Sequence, residues 1–238
     1  MYIFCSPTKT MKLSIAYPSS IPLFQKEALM LADKMKQYSL MELVHLYGCN
    51  EAIANMNKQR WHDFLMKDMG NALLSFTGLQ FNRINAQDFN EEEMEYASEH
   101  IRILSGLYGC LRPLDKICEY RLDVENKVLV EGNTLTECWR DKLANMFEDE
   151  LLIDCASQEY SAILPKHRIR IEFKVNKNGI LKNEATAAKI ARGLMIRYCV
   201  KKHVEKLEEI KGFNEDGYYY EASLSSDNYL LFIKEEIK

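Results

Sequence analysis

The sequence predicts an α+β domain, a mixed sheet with helices around it, occupying residues 1–238 as one unit. Three observations carry this reading. Both chain ends are short, apolar and β-prone, YIFC at 2–5 and YLLFIK at 229–234. Helical spacing of apolar residues marks the stretch from about residue 23 to 66. Most segments after about residue 150 are short, rich in β-branched and aromatic residues, and separated by Gly, Asn and Asp. No repeat, low-complexity tract or Gly/Ser/Pro linker divides the chain.

Taken in order, YIFC reads as a buried strand that stops at Ser6-Pro7, because proline removes a donor and restricts the residue before it. Residues 23–66 read as two or three helices, broken near Tyr38-Ser39 and at Gly48. In 91–104, Met94, Ala97, Ile101 and Leu104 recur at helical spacing, and Asn90 with Glu93 forms a capping-box start, so a helix is expected over that whole stretch. IRILSGLYGCLRPLD, at 101–115, then reads as a helix running into a Gly-bounded hairpin and a second, proline-bounded element: a helix-hairpin-helix. Another helix is expected at about 134–149. The strands follow as LLIDCAS, RIRIEFKV, GILKNE, YYYEAS and YLLFIK. They are interrupted by a long helix, ATAAKIARGLMIRYCVKKH. Its wheel puts Ala187, Ile190, Ala191, Leu194 and Tyr198 on an apolar face, and Lys189, Arg192, Gly193 and Arg197 opposite. The N-terminal strand should lie beside C-terminal ones.

Composition excludes several classes of function. At 238 residues and 47% hydrophobic, the chain can bury a core without metals or disulfides. No apolar run approaches the roughly 20 residues of a membrane span, and the N-terminus does not read as a signal peptide, so a cytoplasmic protein with no membrane partner is expected. The seven cysteines (5, 49, 110, 118, 138, 155, 199) contain no CxxC and read as buried thiols in a reducing compartment. The five histidines lack HxxxH or HExxH spacing, so neither a metal nor a cofactor is expected. A formal charge of -4 gives no global attraction to polyanions; any such site must be a local basic patch.

The candidates for such a patch are few. Gly106 and Gly109 can bring backbone N–H groups close to a phosphate, with Arg112 beside them; the plainer reading is a tight turn in which Arg112 pairs with Asp115. Ser6 and Lys9, in SPTKT, follow a strand, where open sheets bind ligands, although the glycines of a Walker loop are missing. Lys189, Arg192 and Arg197 share a helix face on which Gly193 leaves a low spot for an anion. Asp154, Ser157, Glu159 and Tyr160 follow a predicted strand; their carboxylates pair with those cations, bind a metal or do acid–base work. Of Tyr218, Tyr219 and Tyr220, half should face the core and the rest are free to stack on bases.

SPTKT, LSGLYGCLRPLD with YRLDV after it, ASQEY, KIARGLMIRY and GFNEDGYYYE follow in the order and rough spacing of the YaaA family, which the chain resembles over nearly its whole length. The resemblance implies a cytosolic protein of the hydrogen peroxide response, linked to low free iron and less oxidative DNA damage. It also implies a helix-hairpin-helix and a basic cleft that binds DNA. The family's SPAKT falls on Ser6 to Thr10, its hairpin on Gly106 to Asp115, and its KKARGLMSR on Lys189, Ala191, Arg192, Gly193 and Arg197. The chain departs from the family at SFTGLQFNRI, where Thr77 and Leu79 stand for a lysine and an aspartate and Arg83 for a glycine.

Two functions are weighed on these grounds. The first is sequence-independent binding of double-stranded or branched DNA through its backbone, without catalysis. The second is an enzyme acting on a nucleotide or nucleic-acid phosphate in the same cleft, with Asp115 or Glu159 as acid or base. Direct iron binding is a third reading, weakened by the absence of clustered ligands.

Overall fold

The computed structural model describes residues 1–66 and 68–236. Three helices follow the opening strand, β1 (Tyr2–Cys5): α1 (Gln25–Lys36), α2 (Leu40–Tyr47) and α3 (Glu51–His62). They break where the sequence says they must. Ser39 caps α2 by accepting from the Glu42 N–H while Glu42 accepts from the Ser39 N–H, and Gly48 ends it at φ 55°. After a short α4 (Leu79–Ile84), α5 (Glu91–His100) starts at the expected Asn90–Glu93 capping box.

The sequence reading fails at the end of α5. The helix stops at His100, and Ile101–Ser105 is a strand, β2, buried at every position. Gly109–Leu111 returns antiparallel as β3, so 101–111 is a β-hairpin, and the helix-hairpin-helix expected there is absent. A strand covered on both faces is apolar throughout, and such a run fits helical spacing as well as any other. The expected later elements form: α6 (Leu135–Met146), β4 (Leu152–Asp154), β5 (Arg168–Lys177), β6 (Ile180–Lys182), α7 (Ala185–Lys202), β7 (Tyr218–Tyr220) and β8 (Tyr229–Glu235).

Among the described residues the main sheet has eight strands in the order β7-β8-β5-β4-β1-β2-β3, with β6 added to β5. The five inner strands are parallel, and the antiparallel pairs lie outside them: β2–β3, β7–β8 and β5–β6. The N-terminal strand therefore sits between β4 and β2, as the chain-end pattern suggested. Phe4 packs on Phe147 beyond α6 at 5.1 Å, while Cys5, Cys155 and Cys199 of α7 are wholly buried.

This strand order has one consequence for function. From β1 the chain crosses to β2 on one side, and from β4 it crosses to β5 on the other, so the adjacent pair β1/β4 is the point where the winding reverses. Connections diverging from two neighbouring parallel strands leave a crevice at their carboxyl ends. Beyond that point β5 runs on for seven residues past its pairing with Asp154, as a wall.

Candidate ligand site at the carboxyl ends of the central strands

Ser6 is the first residue after β1 and Ser157 lies three past the end of β4, so adjacency of the strands forces them together. Their hydroxyls are 2.9 Å apart, and the Ser157 N–H donates to Ser6 Oγ at 2.7 Å. The loop between β4 and Ser157 is held from below by Asp154, wholly buried. It accepts from Arg168 Nε at 3.0 Å, the Ala156 N–H at 2.9 Å and Ser161 Oγ, and lies 3.1 Å from Arg170 Nη1. Every lone pair of a buried carboxylate is matched in this way, which makes Asp154 a fastener rather than a free base.

Above the two serines lie the titratable groups. Lys9 reaches Asp123 at 3.2 Å, and the Tyr160 hydroxyl donates to the same carboxylate at 3.3 Å. Glu159, half-buried, accepts from Ser157 Oγ at 3.4 Å. Burial first, then the neighbouring carboxylates Asp123 and Glu125, raise the pKa of Glu159 above the usual carboxylate value, against the opposing pull of Lys9. The Tyr160 hydroxyl is pushed well up by burial.

Arg192 enters from α7. The buried arc of this helix is Ala191, Gly193, Met195, Ile196, Cys199 and Val200, so the expected wheel is rotated: Ile190, Leu194 and Tyr198 are only half-buried, and Arg192 lies inside the arc that faces the protein. Its Nε is buried without a hydrogen-bond partner among the described residues. Burial, then Arg170, lowers the pKa of the guanidinium, with Cys155, Asp154 and Glu172 pulling the other way. Lys189, three residues earlier, is exposed.

Gly193 does not form the low spot the sequence suggested. A Cβ there would lie 2.3 Å from the Gln80 carbonyl oxygen and 2.7 Å from Arg83 Cβ, so the space is filled by α4. The close approach serves the crevice differently, because Gln80 Nε2 donates to the Ser6 carbonyl at 3.2 Å. Gly193 thus lets α4 pack between α7 and the β1 loop, tying Ser6 to the Arg192 turn.

The other candidates lie apart from this cluster. Arg197 makes a two-pronged pair with Asp88, both contacts at 2.7 Å, and donates to the Ile84 carbonyl at the end of α4. Arg112 is bound through its backbone N–H, Nε and Nη2 to Asp115, which is wholly buried and also accepts from Ser20 at 2.7 Å. Gly106 and Gly109 offer no backbone cradle: the N–H groups of Leu107 and Tyr108 between them both donate to Ser105 Oγ. A Cβ on Gly106 would come 2.3 Å from the Leu122 carbonyl, so this glycine instead lets the chain pass closely enough to set Asp123 at the crevice. Tyr218 packs on Phe173 in the core, whereas Tyr219 is exposed and hydrogen-bonds Glu235.

Sequence reasoning passed over Asp123, Gln80 and Arg170 as site residues. Asp123 had a signal, the YRLDV that follows the hairpin; Gln80 had none. Two open concavities elsewhere, around Leu13–Ile15 with Lys116 and around Arg60 with Glu119, do not adjoin these strand ends. Among the described residues no three metal-ligating side chains converge, and no helix is long and apolar enough to cross a membrane.

Comparison with known proteins agrees along the chain. The family described as peroxide stress protein YaaA matches residues 1–224. Relatives include a UPF0246 protein of Finegoldia magna, 38% identical over 98% of each chain. Another, from Clostridioides difficile, is 36% identical over 99% of this chain and all of its own. A third, from Bacteroides thetaiotaomicron, is 36% identical over 98% of each.

Proposed function

Because the chain belongs to the YaaA family of peroxide stress proteins, we propose that it serves the peroxide response in the cytoplasm by binding a small phosphate-bearing ligand in the β1/β4 crevice. One observation carries this reading: Arg192 is turned toward the protein within electrostatic reach of Asp154 and Cys155 at the end of β4, and its Nε is buried with no partner among the described residues. Burying a cationic donor without a partner is costly, and an anionic oxygen at that place would offset the cost. Ser6 and Ser157 supply paired hydroxyls just past the ends of β1 and β4. The limit on free iron and on oxidative DNA damage is, in this reading, a downstream consequence of what the crevice binds.

Binding of DNA through its backbone is the second reading, favoured by the exposure of Lys9, which is paired with Asp123, and of Lys189. It has less support than the sequence suggested, because Arg112 and Arg197 are already paired and the hairpin N–H groups are taken. The two readings separate in one experiment. Labelled duplex and branched DNA, and inorganic phosphate, are titrated across a salt series against the wild type and an Arg192→Met variant of unchanged melting temperature. Phosphate binding that falls at least tenfold in Arg192→Met, with weak DNA binding, supports the crevice; DNA binding that fades steeply with salt and exceeds phosphate binding supports the second reading.

A further inference from the structure

SPTKT and ASQEY bring more chemistry to the ends of β1 and β4 than the capture of an anion uses. Ser6 and Lys9 come from the first motif, Ser157, Glu159 and Tyr160 from the second, and Asp123 from the segment after the hairpin. Direct contacts join them in two groups. Ser6 meets Ser157 and Ser157 meets Glu159, while Lys9 and Tyr160 both hold Asp123. The groups adjoin, since Glu159 feels the charges of both Lys9 and Asp123.

The hydrogens of the first group can be counted. Ser157 Oγ donates to Glu159 Oε1 at 3.4 Å. A hydroxyl has one hydrogen, so in the 2.9 Å contact with Ser6 it is Ser157 Oγ that accepts and Ser6 Oγ that donates. Ser6 Oγ also accepts the Ser157 N–H at 2.7 Å. Its hydrogen and one lone pair are thereby fixed, and its second lone pair has no partner among the described residues. The result is a directed chain from Ser6 through Ser157 to the carboxylate of Glu159. Its last link is long for a hydroxyl on a carboxylate, and links of this kind tighten when substrate is bound. The backbone on both sides is held: Gln80 Nε2 donates to the Ser6 carbonyl at 3.2 Å, and Asp154 accepts the Ala156 N–H at 2.9 Å. A hydroxyl bonded toward a base, on a fixed backbone, is the arrangement that activates a serine.

The surrounding charge selects the group that reacts. Lys9 is one cation among Asp123, Glu125 and Glu159, and it is already paired with Asp123 at 3.2 Å. Attack on a phosphate dianion would set its charge against these carboxylates, whereas a neutral carbonyl carries none. Ser6 is 8% exposed, so only a small acyl group reaches its oxygen. We infer that Ser6 is the nucleophile of an acyl transfer from a small neutral ester, with Glu159 taking its proton through Ser157. Ser6 Oγ bonds to the carbonyl carbon as its hydrogen passes to Ser157 Oγ and the Ser157 hydrogen passes to Glu159. The ester C–O bond then breaks, and the departing oxygen receives the proton back along the chain. Water cleaves the acyl-serine by the same route, releasing the carboxylic acid and restoring Ser6. This reaction goes beyond the phosphate reading and needs no contribution from Arg192.

The test treats the whole protein with para-nitrophenyl acetate, a small neutral activated ester, and reads nitrophenol release together with acetylated peptides by mass spectrometry. Wild type is expected to carry the acetyl group on Ser6, and Ser6→Ala to lose at least about a hundredfold in release. Glu159→Gln keeps an oxygen that accepts from Ser157 but takes no proton, so it should fall by a similar factor with its melting temperature held or raised. Ser157→Ala, which cuts the chain but keeps the N–H to Ser6, should fall with it. The charged and titratable groups facing Glu159 are Asp123, Glu125, Lys9 and Tyr160. Because the ionised carboxylate is the base, the wild-type rate should rise with pH through the Glu159 pKa and then level, a rise that Glu159→Gln should lack. Acetyl groups on lysines alone, or Ser6 acetylated as fast in Glu159→Gln as in wild type, overturn the inference. Neither result bears on phosphate binding, which the titration of Arg192→Met reads separately.

Discussion

Arg192 and Arg197 lie five residues apart on one helix, carry the same charge, and were grouped by the sequence as one cationic face. The structure gives them opposite surroundings. Arg197 is held by both oxygens of Asp88 and by the carbonyl that ends α4, and Lys201 joins the same group through Asp88 and Glu93. Arg192 lies at the end of the central strands with its Nε unpartnered among the described residues. Arg112 repeats the first pattern, bound to Asp115. A cation that already has its carboxylate is structural; the one set down beside partly empty chemistry is the candidate for a ligand. The sequence shows charge, but only the fold shows which charges are already spoken for.

The sharpest way to break the contrast is Gly193→Ala, which acts on the wedge between the two arginines. The added Cβ would sit 2.3 Å from a backbone oxygen of α4, which a rotamer change cannot relieve. Forced repacking of this kind costs about 3 kcal/mol, or roughly 6–12 °C in melting temperature for a chain of this size. Because α4 also holds the Ser6 carbonyl through Gln80, phosphate affinity should fall together with stability. A variant with wild-type melting and wild-type binding would show that the close approach is not what positions the crevice.

Asp115→Ala tests the structural member of the comparison. It removes the partner of the Arg112 side chain, of the Arg112 N–H and of Ser20. Breaking a wholly buried pair costs about 3–5 kcal/mol. Here the Arg112 side chain is 45% exposed and can rehydrate, so about 2 kcal/mol is the expected loss by urea denaturation. Ligand affinity should be unchanged, in contrast to Gly193→Ala. A loss of phosphate binding without a loss of stability would return Arg112 to the site.

These cases also show what can be read from the chain alone. Helix limits at Ser39, Gly48 and Asn90 were legible because capping is local chemistry. The strands after residue 150 were legible because turn residues separate them. The β2–β3 hairpin was misread because strands buried on both faces lose the period-2 pattern. Ser6, Lys9 and Glu159 were visible as residues that follow strands, but the reversal of winding that makes that position a crevice depends on strand order, which no local pattern carries. The wheel of α7 failed for a related reason: Gly193 was read as open space, when a glycine on a buried arc is as often filled by a neighbouring backbone.

The smallest effect separates the two regions by sign, through pH. Hydrogen bonds from Arg197 to Asp88 and from Lys201 to Glu93 hold both carboxyls below their usual values. The folded state then binds fewer protons than the unfolded chain, so this network's stability is complete above the unfolded values near pH 4 and is lost as pH falls through the folded ones. Glu159 works in the opposite direction. Its raised value means that the ionised form is penalised in the folded protein at neutral pH, and the penalty disappears as pH falls through the folded pKa toward the unfolded one. Asp88→Asn should therefore destabilise at neutral pH, by less than about 1 kcal/mol because the pair is partly exposed, with the difference closing in acid. Glu159→Gln should stabilise at neutral pH, with its difference closing over the same acid range. Urea midpoints of the three proteins from about pH 3 to about pH 8 test both at once: curves that diverge from wild type in the same direction would mean that the crevice carboxyl is paired as fully as Asp88, and that the distinction between the two regions does not hold.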